Sequence, residues 1–568
     1  MASLPPPALS TATFRPSSRP PTSKYLPNNA ARVLCSAANG KIDRRDVLIG
    51  IGAGGIYGAS AFTKDSTFAL AAPVQTPNIS KCGPPDLPPG SDPTNCCPPP
   101  SPSIVDFRPP APGKLRVRPA AHLADQSYID KYKRAVELMK GLPGDDPRSF
   151  MQQANVHCAY CNGGYDQVGF PVEVQVHNSW LFFPFHRYYL YFYEKILGEL
   201  IGDPTFALPF WNYDAPGGMR MPAMYADHNS SLYDQLRNQN HLPPTLMDLD
   251  FDGVDSNIGD NAQIRSNLRI MYRQMVSNSR TPKLFFGSAY VAGDEPSPGG
   301  GSVENIPHNT VHTWCGDNNE PNLENMGNFY SAARDPIFYS HHSNVDRMWS
   351  VWKTLGGRRR DLQYPEWLDA SFIFYNEKAQ AVRVRVRDCL DTKNLGYIYQ
   401  DVELPWLETR PTPRRALRAQ KSVDSNVPSR RVKPPKMKLP VTLKSAISTE
   451  VKRGKKSRGR KEKDEEEEIL VIKGIEFDPN TSIKLDIYIN DEDDREIRGD
   501  NTEFAGSFVN VPHKHGHKKK VKTGLRLGIS EVLEDLDADD DDSIIVTIIP
   551  RLGAGLVSIA EIKIEYGD

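Results

Sequence analysis

The sequence predicts a mainly α-helical domain, built as a four-helix bundle, followed by an antiparallel β-sandwich. Helix-periodic stretches rich in aromatic residues and histidine occupy the middle of the chain, and short β-branched runs separated by turn signals occupy its C-terminal tail. A stretch rich in lysine and arginine lies between the two regions, as expected of a linker. A chain of 568 residues is long enough for about two to four domains.

The N-terminal stretch is predicted to be a targeting peptide. Met1–Lys41 is rich in Ser, Pro and Ala, has scattered basic residues and contains no Asp or Glu, which is the composition of an organellar transit peptide. Arg44-Arg45 then precedes a short, glycine-rich apolar run and a small-x-small cleavage site, which is typical of a twin-arginine signal. A membrane anchor is the alternative, but the run falls short of the ~20 apolar residues that a span needs. We therefore predict that residues 1–71 direct the chain to the plastid and then to the thylakoid lumen, which leaves a mature chain without a membrane span.

The helical domain is expected to span residues 72–407. Three stretches in it have helical character: Tyr128–Met139, Glu173–Leu200 and Phe338–Trp352. The second is expected to be one long helix with a kink at Pro184, so that histidines on both sides of the kink point inward. Side chains that project inward from facing helices build the metal and ligand sites of helical bundles.

Residues 408–465 are predicted to be a flexible linker, because basic residues dominate the segment and the acidic run Asp464–Glu468 follows. A docking surface is the alternative interpretation. A linker of this composition cannot bury enough apolar surface to order itself, and proteases reach such segments first. An activating protease is therefore an expected partner.

Residues 466–568 form the predicted sandwich, and no constellation of catalytic residues occurs within it. Its strands are expected at Ile469–Ile475, Ile483–Ile489, Ser543–Ile549 and Val557–Tyr566. The whole chain has a formal net charge of -1, so no global basic field points to nucleic acid as a partner.

Six histidines fall into two separated groups. The first group is His157, His177 and His186, and the second is His308, His312 and His342. His308 and His312 are four residues apart and share one helix face, whereas spacing alone does not choose between His342 and its neighbour His341. Imidazole ligands suit copper, zinc, iron and nickel, and no carboxylate occupies a matching position in either group, which argues against iron sites with mixed ligands. Three neutral nitrogen ligands per metal, twice, favour a centre with two copper ions.

The remaining histidines and the cysteines give weaker signals. The run 513–517 (HKHGH) resembles a second metal site, but neighbouring lysines favour a solvated loop. Of the eight cysteines, five cluster around the first histidine group: Cys82, Cys96, Cys97, Cys158 and Cys161. A zinc site is disfavoured because the adjacent pair Cys96-Cys97 lacks the usual C-x2-C spacing. The sequence does not give the state of Cys315 and Cys389.

Longer motifs surround the histidines and continue beyond them. They are HCAYC at 157–161, HNSWLFFPFHRYYLYFYE at 177–194, HNTVH at 308–312, ENMGNFYSAARDPIFYSHHSNVDRMW at 324–349, WLDASFIFYNEKAQAVRVRVRDCLDT at 367–392 and GYIYQDVELPWL at 396–407. On these motifs, residues 82 to about 406 resemble the catalytic domain of plant polyphenol oxidases, which are type-3 copper enzymes related to tyrosinases and catechol oxidases. In the tail, IKLDIYI at 483–489 is similar to the family's KFDV motif, with departures at two positions.

The resemblance implies a copper oxidase. Two copper ions, one on each histidine group, would oxidise o-diphenols to o-quinones while dioxygen is reduced to water, with small phenols and O2 as the partners. The resemblance also implies three covalent crosslinks. These are disulfides between Cys82 and Cys97 and between Cys96 and Cys158, and a thioether between Cys161 and His177. The C-terminal domain would cover the copper entrance until it is cleaved, so the chain would be a latent precursor.

Three further roles follow from the resemblance. Glu304 corresponds to the glutamate that holds a water near the substrate, Asn309 to a position linked to phenol deprotonation, and Phe329 to a bulky gate residue above one copper. Glu304 and Asn309 together would allow hydroxylation of monophenols. Independently of the resemblance, Asp346 lies four residues beyond His342 and is placed to accept a hydrogen bond from a ligand imidazole.

Two other functions remain open at this point. A reversible, haemocyanin-like oxygen carrier would use the same six-histidine core, and a dedicated biosynthetic oxidase would act on a single plant phenol. Plastid targeting, the position of Cys161 and the order of the domains favour the oxidase over the carrier. The sequence does not name the natural substrate, the balance of monophenol and diphenol activity, the oligomeric state or the cleavage site.

Overall fold

The structure, a computed structural model, describes residues 71–111, 113–412, 437–491, 498–514 and 519–567. The predicted targeting peptide lies outside the described residues except for its last position. The central part of the predicted linker, residues 413–436, lies outside them as well.

Helices form the framework of the N-terminal two thirds of the described chain. They are α1 Gln126–Lys140, α2 Phe150–Cys161, α3 Phe182–Leu200, α4 Asp260–Tyr272, α5 Pro282–Phe286, α6 Thr310–Cys315, α7 Ile337–Thr354 and α8 Pro365–Leu368. Side-chain caps start several of them: Asp125 accepts a hydrogen bond from the backbone N–H of Tyr128 at 2.8 Å and begins α1, and Ser149 begins α2 in the same way. The structure thus has a helical region where the sequence predicts one, and α1 and α7 contain two of the predicted helices.

The predicted helix at 173–200 is shorter than expected, because α3 begins only at Phe182. Pro184 lies in the first turn, where the missing N–H has no intrahelical partner to lose, so the proline starts the helix and does not kink it. His177 therefore lies in the irregular segment before α3 and not on a helix. Nearly all residues of α3 are buried, which is the pattern of a central helix that is covered on every side.

Aromatic side chains join α3 to its neighbours. The Phe183 ring stacks on Phe285 with 4.5 Å between centroids, and the Tyr193 ring lies 3.5 Å from that of Tyr339 on α7. Aromatic pairs of this kind contribute roughly 0.5–1.5 kcal/mol beyond their burial. Aromatic packing therefore stabilises the core around the two helices that carry His186 and His342.

Two disulfides tie the proline-rich N-terminal segment to the helices. Cys82 is bonded to Cys97, and Cys96 is bonded to Cys158 on α2. Two small sheets lie nearby: β1 (Ile104–Asp106) pairs with β4 (Ala381–Arg385), which pairs with β3 (Ser371–Tyr375), and β2 (Arg116–Arg118) pairs with β5 (Tyr397–Tyr399). Among the described cysteines, Cys161, Cys315 and Cys389 are buried and form no disulfide.

The C-terminal region consists of two antiparallel sheets. The strands are β6 Val441–Thr442, β7 Ile447–Lys452, β8 Glu467–Phe477, β9 Ile483–Ile489, β10 Phe504–Asn510, β11 Val521–Gly528, β12 Ser543–Leu552, β13 Ser558–Ile559 and β14 Glu561–Gly567. One sheet has the order β10-β9-β12-β7, and the other has the order β11-β8-β13-β6 with β14 also paired to β8. Two short helices accompany them, α9 at Arg460–Glu465 and α10 at Ser530–Asp535. Side chains from both sheets contribute to one hydrophobic core.

The predicted linker at 408–465 is too long, because its second half belongs to the sheet region. β7 pairs with β12 along its whole length, and Thr449 and Val451 point inward. Some of the basic side chains that suggested a solvated segment are buried: Arg453 pairs with Glu468 at 2.8 Å, and both side chains are almost inaccessible, whereas Lys455 and Lys461 are exposed. Part of the positive charge in this segment therefore forms internal ion pairs. No helix among the described residues is long and apolar enough to span a bilayer.

Candidate metal centre

The first histidine group converges from three different elements. His157 lies on α2, His186 lies on α3, and His177 lies in the irregular segment that precedes α3. The His177 ring lies 5.0 Å from each of the other two, and all three side chains are buried. The ligand nitrogens of the three residues lie within 4.8 Å of one another.

The second group is assembled around a π-helical turn, Glu304–Asn309, which runs directly into α6. This turn carries His308, α6 carries His312, and α7 carries His342. The Nε2 atoms of His312 and His342 are 3.3 Å apart, which is the separation of two nitrogens that converge on one metal ion. The two groups adjoin, because the rings of His186 and His342 stack with 4.2 Å between centroids.

Hydrogen bonds at Nδ1 fix the orientation of five of the six rings. The acceptors are the carbonyls of Phe329, Phe182 and Met326 for His157, His186 and His312, the amide oxygen of Gln175 for His177 and that of Asn309 for His308. These bonds place the proton on Nδ1, so that Nε2 presents its lone pair. The Nε2 atoms of His157, His177, His186 and His308 are buried and have no hydrogen-bond partner among the described residues.

Burial keeps all six imidazoles neutral. Desolvation lowers the pKa of His157 to about 3 and that of His312 to about 4, and it depresses the pKa of the other four well below the ordinary histidine value. Neutral imidazole is the form that binds a metal. Six buried, neutral imidazoles in two adjacent sets of three, five of them oriented at Nδ1 and four with an unpartnered Nε2, therefore fit two copper ions.

Cys161 ends α2 close to the segment that carries His177. The carbonyl of Cys161 accepts a hydrogen bond from Gln175 Nε2 at 3.0 Å, and Gln175 Oε1 accepts one from the His177 backbone N–H at 3.0 Å. Gln175 thus links the two residues of the predicted thioether. Burial, together with the charge of Glu304, raises the pKa of the Cys161 thiol well above its usual range.

Glu304 and Asn309 stand at the two ends of the π-helical turn. Glu304 is buried, its Oε1 accepts a hydrogen bond from the backbone N–H of Asn178 at 2.5 Å, and desolvation raises its pKa to about 8. Asn309 uses its Oδ1 to accept from His308 at 2.8 Å and its Nδ2 to donate to the carbonyl of Val509 on β10 at 2.7 Å. The C-terminal region therefore contacts a residue that touches a metal ligand.

Phe329 lies between the histidines and the C-terminal region. Its ring stacks on His177 with 4.0 Å between centroids, and on His513 with 4.9 Å. Its backbone N–H donates to the carbonyl of Pro512 at 3.1 Å. The expectation of a solvated loop at 513–517 is wrong for His513, which is 1 % exposed, and residues 515–517 lie outside the described residues.

The structure does not place Asp346 as the acceptor for a ligand histidine. Its carboxylate accepts hydrogen bonds from Arg187 at 2.5 Å and from the hydroxyls of Tyr397 and Tyr399 at 2.6 and 2.5 Å, and it also pairs with Arg118. These cations lower the pKa of Asp346. Asp346 is one turn of α7 away from His342, but Arg187 on α3 and the donors that the β2–β5 pair supplies, Arg118, Tyr397 and Tyr399, engage its carboxylate instead.

Gln175 and the backbone carbonyls that hold the rings are functional groups that the sequence did not reveal. The position of Gln175, two residues before His177, is the one feature of the sequence that could have indicated its role as the acceptor for a ligand imidazole. The carbonyls of Phe329, Phe182 and Met326 leave no trace in the side-chain pattern.

Comparisons with known proteins give a consistent result. Family models match residues 147–355 (common central domain of tyrosinase), 361–412 (polyphenol oxidase middle domain) and 439–566 (chloroplastic polyphenol oxidase C-terminal domain). A chloroplastic polyphenol oxidase of Malus domestica is 58% identical over 100% of both chains, and aureusidin synthase of Antirrhinum majus is 57% identical over 87% of this chain and 89% of its own. The solved structure of latent apple tyrosinase is 60% identical with a TM-score of 0.77, and it covers 82% of this chain and 100% of its own.

The chain belongs to the plant polyphenol oxidase family. This polyphenol oxidase is an enzyme with a dinuclear copper centre that oxidises phenols with O2, and the oxygen-carrier alternative is not favoured. Relatives named as chloroplastic place it in the plastid. Its helical tyrosinase domain is followed by a separate C-terminal sheet region, as in the latent structures that it matches.

Proposed function

We propose that this polyphenol oxidase hydroxylates monophenols as well as oxidising o-diphenols to o-quinones, with one copper on His157, His177 and His186 and the other on His308, His312 and His342. The observation that carries the proposal is the position of Asn309, whose Oδ1 accepts a hydrogen bond from His308 at 2.8 Å. Asn309 ends the same π-helical turn that the buried Glu304 begins. An oxygen-electrode comparison of tyramine and tyrosine with 4-methylcatechol tests it directly.

When bound, the copper pair supplies the reduction of dioxygen. The protein groups then have to position the phenol and take its proton. Glu304 is held by the Asn178 amide and would orient a water molecule, and the Asn309 amide would hold the same water from the other side. Such a water would pass the proton of the phenol hydroxyl to the Glu304 carboxylate, whose raised pKa makes it a stronger base than an ordinary carboxylate, so the substrate would bind as phenolate. The Phe329 ring, stacked on His177, limits how bulky a phenol can approach.

Replacing Asn309 with Gly should lower the hydroxylation of tyramine by about 10²-fold and the oxidation of 4-methylcatechol far less, because only the monophenol needs this proton transfer. The comparison is made on a chain without its C-terminal region, since Val509 holds Asn309 in the intact chain. Copper content is measured in parallel. Equal losses on both substrates would mean that Asn309 acts on copper binding or folding, and a wild type that never hydroxylates tyramine, even with a catechol primer, would contradict the proposal.

We also propose that Cys161 and His177 are joined by a thioether. Gln175 bridges the two residues, and a covalent bond would restrict the one ligand of its group that does not lie on a helix. Digestion of the active enzyme should give a crosslinked peptide pair that carries Cys161 and His177 and resists reductant. The matched control is Cys315, another buried cysteine without a disulfide, which alkylates after unfolding. Recovery of Cys161 as an alkylatable thiol in active enzyme would rule the bond out.

A dedicated biosynthetic oxidase is a second candidate. Aureusidin synthase is 57% identical to this chain and (+)-larreatricin hydroxylase of Larrea tridentata is 52% identical, which is as similar as several relatives named simply as polyphenol oxidases. Comparable kcat/KM values for several simple catechols would favour the general enzyme. A preference of ~10³-fold for one larger plant phenol would favour the dedicated one.

The C-terminal region, we propose, keeps the enzyme latent until a protease cuts the chain between about Arg410 and the first strand of the sheets. Support comes from the site itself: the Pro512 carbonyl accepts a hydrogen bond from the backbone N–H of Phe329, and the Phe329 ring that stacks on His177 also stacks on the His513 ring. The Val509 carbonyl also accepts a hydrogen bond from Asn309, beside the ligand His308.

Organisation and targeting complete the proposal. Residues 1–71 would carry the chain through the plastid envelope and then, by the twin-arginine signal, into the thylakoid lumen. The catalytic domain would begin at 72 and extend to about 407. It would contain a four-helix bundle formed by α2, α3, α6 and α7. The sheet domain would begin near 439 and not at 466, since β6 and β7 are part of its sheets. Import of the labelled precursor into isolated chloroplasts, with Arg44-Arg45 intact or changed to Lys-Lys, tests the second targeting step.

A further inference from the structure

The second histidine group contains a fourth member, His341. The ligand nitrogens of His308, His312, His341 and His342 all lie within 4.8 Å of one another, whereas the first group has three such residues. His341 is fully buried, and its ring stacks on that of His308 with 5.2 Å between centroids at an interplanar angle of 20°. The ring of His312 meets it edge-on at 5.0 Å.

His341 and His342 share a property that separates them from the other five histidines of the centre. Nδ1 of His342 has no hydrogen-bond partner among the described residues, and neither nitrogen of His341 has one. Burial lowers the pKa of His341, and the nearby backbone of His308 offsets part of that decrease. The His308 backbone nevertheless makes no hydrogen bond with either ring nitrogen of His341. The two adjacent imidazoles are therefore the ones whose orientation no acceptor fixes.

A packing role alone does not account for this arrangement. Burying a polar group without a partner costs roughly 1–3 kcal/mol, and a phenylalanine would make the same ring contacts with His308 and Tyr213 without that cost. Adjacent residues of a helix point about 100° apart, so His341 and His342 do not both occupy the ideal ligand position at once. Two adjacent imidazoles whose orientation is not fixed, His341 and His342, could occupy the third ligand position of the second metal in turn.

We propose that His341 is a reserve copper ligand, which takes the place of His342 on the second copper while the metal enters or leaves the site. The proposal rests on the ligand set given under the proposed function. It gives the second site a three-nitrogen set at every stage of loading, since His308 and His312 remain bound to the metal while the third ligand changes.

The test compares copper retention in variants that keep ring volume but remove nitrogen: His342→Phe, His341→Phe, the double variant, and His312→Phe as the matched control with no neighbouring histidine in sequence. Each full-length protein is loaded with copper, dialysed against a chelator and analysed for copper per chain and for the rate of copper release. Circular dichroism and the unfolding temperature establish that each variant is folded.

The expected result is about two coppers per chain for the wild type and for His342→Phe, and about one for His312→Phe and for the double variant. His342→Phe should release its second copper about 10–100-fold faster than the wild type, and His341→Phe should load that copper more slowly than the wild type. A drop of His342→Phe to one copper, or retention of two coppers by the double variant, overturns the role of His341 but leaves the proposed function intact. If the wild type bound no copper, the result would contradict the ligand assignment on which both the proposed function and the role of His341 rest.

Discussion

Replacing His186 with Ala should leave the purified chain with about one copper in place of two and lower phenol oxidation by about 10²-fold or more. His186 is buried, and its Nδ1 donates a hydrogen bond to the Phe182 carbonyl. Among the described residues the first group has three histidines, so His186 Nε2 is one of three candidate ligand nitrogens. Loss of an outer partner of a ligand alone weakens a metal site 10–100-fold, so loss of the ligand itself has at least that effect. His312→Ala should empty the second site in the same way.

The control for this experiment is His228→Ala. His228 is exposed and lies outside both histidine groups, so copper content and activity should not change. Metal analysis of the wild type provides the stronger check. Zinc or iron at full occupancy, with copper unable to restore activity, would falsify the assignment of both sites.

The framework of this site was predictable because it depends on side-chain identity. Histidine at 157, 177, 186, 308, 312 and 342 marks the two groups, and the structure brings each group together. The strand at Ile483–Ile489 and the helices around Tyr128 and Phe338 were predictable because hydrophobic periodicity reports which face is buried.

What failed depends on partners that the local sequence does not contain. The helix expected from Glu173 starts at Phe182. The prediction failed because a proline in the first turn of a helix and a proline at a kink give the same pattern in the sequence. Asp346 has the spacing of an acceptor for His342, but Arg187 and the tyrosines of β5 reach it first. His513 looked solvated because it stands among lysines, and only the fold places its ring on Phe329.

Removing the C-terminal region should raise kcat/KM for bulky phenols by on the order of 10²-fold without changing copper content. The covering contacts are specific and buried. The His513 ring and the Pro512 carbonyl occupy the approach to Phe329, and the Lys484 ammonium of β9 pairs with Asp250 of the catalytic part at 2.6 Å. Lys484 lowers the pKa of Asp250, so this pair remains charged at neutral pH. A tether that holds such an interface together supplies an effective concentration in the millimolar range.

The experiment inserts the recognition sequence of a site-specific protease after Asp424, within the stretch that the structure leaves undescribed. The same preparation is then assayed before and after the cut, with tyramine as a small substrate and a bulkier catechol beside it. His513→Ala in the uncut chain gives a matched comparison, because it removes the ring over Phe329 and leaves the Lys484–Asp250 pair in place. That variant should gain activity on the small substrate more than on the bulky one.

Cutting the tether does not by itself remove the cover, and this gives the prediction its sharpest form. After cleavage the two parts are held only by their interface, so dissociation depends on protein concentration, whereas in the uncut chain it does not. Activity per enzyme should therefore rise on dilution for the cut protein and stay constant for the uncut one. Mild loosening with detergent should abolish the difference.

If a chain that ends near Leu407 folds, holds two coppers and is no faster than the full-length enzyme, the sheet region is not an inhibitor. Its contacts with Phe329 and Asn309 would then be better explained as a device that holds the centre open while copper is loaded.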